Sequence, residues 1–98
     1  MILNKRQIRQ LKGIASTLDS KYQVGKNGIT DTLIEILDKG IEKNELIKIS
    51  LMKCVVKDKK EIASVLSFRL HAEIITIIGN VIVLYRKNLK EPHIVLVD

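Results

Sequence analysis

Apolar residues recur along this chain with two periods, one helical and one alternating, and the switches between them mark out its elements. Ile8, Leu11, Ala15 and Leu18 fall at helical spacing behind Asn4 and Gln7, whose separation fits a capping box. A first helix is expected there, with Lys5, Arg9 and Lys12 at i, i+4 and i+7 on a face away from the apolar stripe. Gly13 lies inside that helix and weakens its last turn by up to about 1 kcal/mol relative to alanine. Lys21-Tyr22-Gln23-Val24 alternates polar and apolar and reads as a short strand ending at Gly25. Gly25 to Gly28 is then a turn, and Thr30 followed by Asp31 starts a second helix. Leu33, Ile34, Ile36, Leu37 and Ile41 supply its buried side, Glu35 and Lys39 an outer i,i+4 pair, and Gly40 falls in its last turn.

From Glu45 to Val56 the residues Leu46, Ile47, Ile49, Leu51, Met52 and Val55 predict a strand, with Lys48, Ser50 and Lys53 interleaved. Asp58 and Glu61 resemble a second capping box, for a third helix carrying Ile62, Ala63, Val65, Leu66 and Leu70. Ile74 to Ile78 and Val81 to Tyr85 are joined by Gly79-Asn80, a two-residue hairpin link. Pro92 precedes a last apolar run, Ile94 to Val97, that suits an edge strand. The order α-β-α-β-α-β-β predicts an α/β fold, a two-layer sandwich on a mixed four-stranded sheet. Helical crossovers favour parallel pairing early in the chain, and the hairpin adds an antiparallel pair.

Ninety-eight residues set the size of one domain, 1–98, and an apolar content of 46% separates the chain from disordered sequences. No segment approaches the roughly 18 consecutive apolar residues of a membrane helix. Met1-Ile2-Leu3-Asn4-Lys5-Arg6 puts charge after a short apolar stub, the reverse of a signal peptide, and Cys54 has no partner for an internal disulfide. A cytoplasmic location is expected.

Charge changes the picture because it is unevenly placed. Met1 to Lys26 holds six bases (Lys5, Arg6, Arg9, Lys12, Lys21 and Lys26) against one acid, Asp19, a net +5 of the chain's +6. Such a concentration suits a polyanion, whose condensed counterions are released as phosphates are neutralised. Gly25-Lys26-Asn27-Gly28 adds a strand-to-helix loop whose glycines permit close backbone approach, with Lys26 as a cation and Asn27 as a donor. Such a loop can clamp a nucleic-acid backbone as the GxxG loop of KH domains does, or it can serve only as a structural turn. KH domains place that loop between two helices, whereas a strand precedes it here. His71 and His93 lack partners at metal spacing, and nothing assembles a nucleophile, a base and an orienting group. Of the few aromatics, Tyr22 is placed to stack on a base beside the loop, while Phe68 suits the core. Contacts are therefore expected mainly to phosphate and sugar.

Asn4-Lys5-Arg6-Gln7 with Leu11, Val24-Gly25-Lys26-Asn27-Gly28-Ile29-Thr30, Glu45-Leu46-Ile47-Lys48-Ile49, and Ile78-Gly79 with Val83-Leu84-Tyr85-Arg86 follow one another in this order. Over essentially its whole length the chain resembles YhbY-type proteins, the stand-alone bacterial form of the CRM (chloroplast RNA splicing and ribosome maturation) domain. The resemblance implies an RNA-binding α/β domain similar to the C-terminal domain of translation initiation factor three. It also implies a link to large-subunit maturation in bacteria and to group II intron splicing in plants. Gly25 to Gly28 would be the family's GxxG loop, and Lys5, Arg6 and Arg9 its basic first helix.

The expectation is an RNA-binding protein that catalyses nothing and contacts ribosomal RNA during large-subunit assembly. Its contact residues would be Lys5, Arg6, Arg9, Lys12, Gly25, Lys26, Asn27, Gly28 and Arg86. The alternative is a protein-interaction module whose basic face meets an acidic partner. No cofactor, metal, membrane or small-molecule substrate is expected.

Overall fold

A computed structural model of the chain describes residues 2–53 and 58–98. The expected strand positions Cys54, Val55 and Val56 lie outside the described residues.

Helix α1 (Lys5–Ala15) starts as its sequence predicts: Asn4 Oδ1 accepts the Gln7 N–H at 2.8 Å, and Gln7 Oε1 accepts the Asn4 N–H at 3.0 Å. It ends before Leu18, because the Ser16 and Thr17 hydroxyls donate back to the carbonyls of Gly13 and Ile14 in a closing turn. Leu18 is left exposed. Strand β1 (Tyr22–Val24) follows, then α2 (Asp31–Asn44), with Thr30 Oγ1 accepting the Leu33 N–H at 3.1 Å. Strand β2 (Leu46–Leu51) is shorter than the sequence predicts. Glu45, at φ 64°, terminates α2 instead of opening the strand, and Met52 leaves the ladder. Helix α3 (Lys59–Leu70) is capped by Asp58, which accepts the Lys60 N–H at 2.8 Å rather than forming a reciprocal box with Glu61. Strands β3 (Glu73–Ile78) and β4 (Val81–Tyr85) complete the order, with Gly79 at φ 57° in the hairpin turn.

The four strands lie in the order β1-β2-β4-β3. Tyr22 pairs with Ile49 in parallel register, while Ile49 with Ile82 and Ile78 with Val81 are antiparallel pairs. The mixed four-stranded sheet and the three helices agree with the predicted fold class.

The layering differs from a two-layer sandwich. Ile47, Ile49, Leu51, Ile82 and Leu84 pack with Leu37 and Ile41 of α2 and with Ile62, Ala63, Leu66 and Leu70 of α3. Their neighbours Leu46, Val83 and Tyr85, with Ile75, pack instead with Leu11 and Ala15 of α1. Because side chains alternate along a strand, these clusters occupy opposite faces of the sheet. The central strands are apolar on both faces for that reason, and helices cover both.

The run Ile94 to Val97 does not join the sheet, whose edges are β1 and β3. Ile94 and Leu96 pack against the α1 cluster. Gln10 Nε2 donates to the Val95 carbonyl at 2.7 Å and Gln7 Nε2 to that of Val97 at 2.9 Å, while Gln10 Oε1 accepts the Val97 N–H at 2.8 Å. Glutamine side chains thus take the place of a strand partner. The segment is pinned further by Glu45, fully buried, whose carboxylate accepts the N–H groups of Asn88, His93 and Ile94.

Besides Leu18, three apolar residues of the helices that the sequence places inside are found outside: Ile36, Val65 and Phe68 are exposed. Phe68 is 80% exposed because Ile62, Leu66 and Leu70 define the buried face of α3, and a residue two places after Leu66 points away from it.

Candidate nucleic-acid interface

The Gly25–Gly28 turn is closed by the Gly28 N–H donating to the Gly25 carbonyl at 2.9 Å. Lys26 and Asn27 occupy its two central positions and are exposed. Gly28 has φ 67°, a conformation that strains any residue with a side chain. Gly25 is constrained by space instead, since a Cβ there would stand 3.1 Å from Met52 Sδ. Both glycines of the motif are accounted for locally. At the start of α2, the cap of Thr30 and the ion pair of Asp31 with Arg69, at 2.9 Å, already engage polar groups. Attraction for an anion at the turn therefore falls to Lys26 and Asn27.

Lys5, Arg6, Arg9 and Lys12 are all exposed on α1 and form no ion pair among the described residues. The connection from α1 to β1 is fastened to β2 by Lys48 Nζ, which donates to the Leu18 carbonyl at 3.0 Å, and by a Ser20–Ser50 hydroxyl contact. Helix α1 packs on β2 and β3, and the glycine turn follows β1, whose neighbour is β2.

Arg86 is not brought to them. Register puts Val24 beside Leu51 at one end of the sheet and Tyr85 beside Leu46 at the other, and Arg86 follows Tyr85. Its side chain is 18% exposed and clamps three elements together. It donates to Asp38 Oδ1 at 2.7 Å, to the Leu70 carbonyl at 2.8 Å, to the Asp38 carbonyl at 3.2 Å and to Glu42 Oε2 at 3.1 Å. Its donors hold the fold and are not turned to solvent. Tyr22 is likewise engaged: its hydroxyl end lies where a side chain at Gly40 would stand, and its partly buried ring packs against the core.

Three basic residues that the sequence reading leaves out stand at the end of the sheet that carries the turn. The Met52 N–H donates to the Val24 carbonyl at 2.9 Å, and the Leu51 N–H to the Asn80 carbonyl at 2.7 Å. Lys59 Nζ donates to the Gly79 carbonyl at 2.7 Å. These bonds join the glycine turn, the exit of β2, the hairpin tip and the start of α3, bringing exposed Lys53, Lys59 and Lys60 to this end. In the sequence Lys59 and Lys60 follow Asp58, which reads as a helix start, and Lys53 stands among apolar strand residues. Among the described residues no group of three or more His, Cys, Asp or Glu could hold a metal ion. Tyr85 has its pKa raised, first by burial and then by the Glu45 carboxylate, at the end opposite the turn.

The sequence pattern of the CRS1 / YhbY (CRM) domain matches residues 3–86. The chain is 34% identical over 95 residues to Probable RNA-binding protein YqeI of Bacillus subtilis, covering 97% of this chain and 99% of that one. It is 29% identical over 90 residues to Probable RNA-binding protein PA4753 of Pseudomonas aeruginosa, covering 92% and 86%. The solution structure of the hypothetical protein SAV1595 from Staphylococcus aureus superposes with a TM-score of 0.81 at 36% identity, over 97% of this chain and 99% of that one.

Proposed function

The chain belongs to the CRS1/YhbY (CRM) domain family, and from that premise we propose that it binds RNA, namely ribosomal RNA during assembly of the large subunit. It acts as one domain, 1–98, in the cytoplasm, and binds without transforming its ligand. Lys5, Arg6, Arg9 and Lys12 of α1 and Gly25, Lys26, Asn27 and Gly28 of the turn make the contacts, with Arg86 left to the fold. The observation that carries this reading is the turn itself, which presents an exposed lysine and asparagine at its tip, while the bases of α1 stand exposed without an ion pair among the described residues. The names of the relatives support RNA as the ligand class, and the large-subunit assignment rests on the family resemblance of the sequence.

The mechanism is electrostatic. Each phosphate neutralised by Lys26 or the α1 bases releases condensed counterions, so log K falls with log salt at a slope of about −0.7 to −0.9 per phosphate. With few aromatics, affinity comes from the backbone more than from base edges. The test joins two measurements. Crosslinking in cells and sequencing the attached RNA should recover large-subunit ribosomal RNA, and titration of such a fragment should show the salt slope. Lys26→Ala should weaken all RNAs alike and reduce that slope by about one. Affinity independent of salt, or an RNA-free complex with an acidic protein, would overturn the reading.

A further inference from the structure

We propose that the binding surface continues from the glycine turn across the same end of the sheet to Lys53, Lys59 and Lys60, and that it takes an unpaired stretch of RNA with one base resting on Met52. This inference rests on the RNA-binding reading and names the form of RNA that the surface accepts. Contiguity is the first support. Hydrogen bonds join Met52 to Val24, Leu51 to Asn80 and Lys59 to Gly79, so the turn, the β2 exit, the hairpin tip and the α3 start form one platform.

Charge is the second. Lys26, Lys53, Lys59 and Lys60 are exposed here, against Asp58 and Glu61, and Asp58 is already engaged by the Lys60 N–H. Lys26, Lys53 and Lys60 form no ion pair among the described residues. Lys59 is steadied by the Gly79 carbonyl, so one ammonium of the group is held in place.

The third support is an apolar side chain among these charges. Met52 is 47% exposed, and its sulfur lies where a side chain at residue 25 would intrude. Gly25 thus leaves room for the thioether beside the turn. A polarizable, flexible thioether packs well against the face of a flat ring. Paired RNA keeps its bases stacked inside the helix and cannot deliver one to Met52, whereas unpaired nucleotides can be splayed out between phosphate contacts. A thioether seat accepts any base, so sequence preference should be slight.

The test compares a blunt RNA hairpin with the same hairpin carrying a single-stranded extension, by fluorescence anisotropy. Three proteins are used: the wild type, Met52→Ala, and Lys53→Ala/Lys60→Ala, whose side chains make no hydrogen bond among the described residues. The wild type should bind the extended RNA about fivefold more tightly, the worth of one thioether–ring contact. Met52→Ala should lose most of that preference with its salt slope unchanged, and the lysine pair should lower the slope by about two. Thermal melting of all three establishes that they are folded. Equal wild-type affinity for the two RNAs, or variants that bind as the wild type does, would overturn the extension. Lys26→Ala keeps this failure distinct: if it weakens binding while the lysine pair does not, the RNA reading stands and only the extension falls.

Discussion

The two ends of the sheet treat polar side chains in opposite ways. Beyond Tyr85, Arg86 divides its donors among Asp38, Glu42 and the Leu70 carbonyl, and buried Glu45 takes three backbone N–H groups from the C-terminal segment. Beyond Val24, Lys26, Lys53 and Lys60 face solvent without an ion pair among the described residues. The difference shows how to tell structural charge from charge left for a ligand. A charge that is buried must be matched within the fold, because desolvation makes an unmatched one costly. An exposed charge without a partner contributes little to stability and stays available to another molecule.

The largest effect should come from the closed end. Glu45→Ala removes the acceptor of three part-buried N–H groups and should cost about 3 kcal/mol, at roughly 1 kcal/mol for each. Urea unfolding would measure the loss, and hydrogen exchange should locate it first in residues 88–97. The variant should keep its RNA affinity at temperatures where it remains folded. A fall in affinity matching the fall in stability would break the separation between the two ends.

Arginines make the next comparison, because the same residue type stands in both settings. Arg86→Ala removes hydrogen bonds to the exposed Asp38 and Glu42 carboxylates and to the Leu70 carbonyl and loosens β4 from α2 and α3, which should cost about 2 kcal/mol. Arg6→Ala/Arg9→Ala should leave the melting temperature nearly unchanged while RNA affinity falls and its salt slope drops by about two. A double variant as unstable as Arg86→Ala would show that α1 uses these charges to hold the fold.

Much of this division was hidden in the sequence for a physical reason. Local signals were legible: the Asn4–Gln7 box, the Thr30 cap and the Gly79-Asn80 turn each depend on residues within four positions of one another. Partners far along the chain were not. Arg86 looks like one more base until Asp38 and Glu42, 48 and 44 residues away, come to meet it. Gly40 looks like a tolerated helix glycine until the Tyr22 ring is laid against it. The apolar run Ile94 to Val97 gives no sign that two glutamines of α1 would replace a neighbouring strand. The second helical layer follows from Leu46, Val83 and Tyr85 being apolar on the face away from α2 and α3, a pattern that shows its meaning only once the strands are registered. Lys53 looks like an interleaved strand residue, and Lys59 and Lys60 look like the first turn of the helix that Asp58 opens, so none of the three stands out as a site.

The smallest effect sharpens the comparison from within the closed end, where one polar atom breaks the rule of matched burial. Tyr85 is fully buried, and its hydroxyl has no hydrogen-bond partner among the described residues. Burial, and then the nearby Glu45 carboxylate, raise its pKa above the ordinary 10.0. Tyr85→Phe keeps the ring against Leu11 and Val83 and removes only the unmatched oxygen, so stability at neutral pH should change by less than about 1 kcal/mol, in the stabilising direction. The pH dependence has a definite sign. A folded-state pKa raised above that of the unfolded chain leaves stability intact below pH 10, then removes it as pH climbs through the higher folded value. The phenylalanine variant is spared that loss, so its advantage in melting temperature should be wider at pH 11 than at pH 8. A variant that is clearly less stable at pH 8 would mean that the hydroxyl has a partner, and the closed end would then match every polar group it buries.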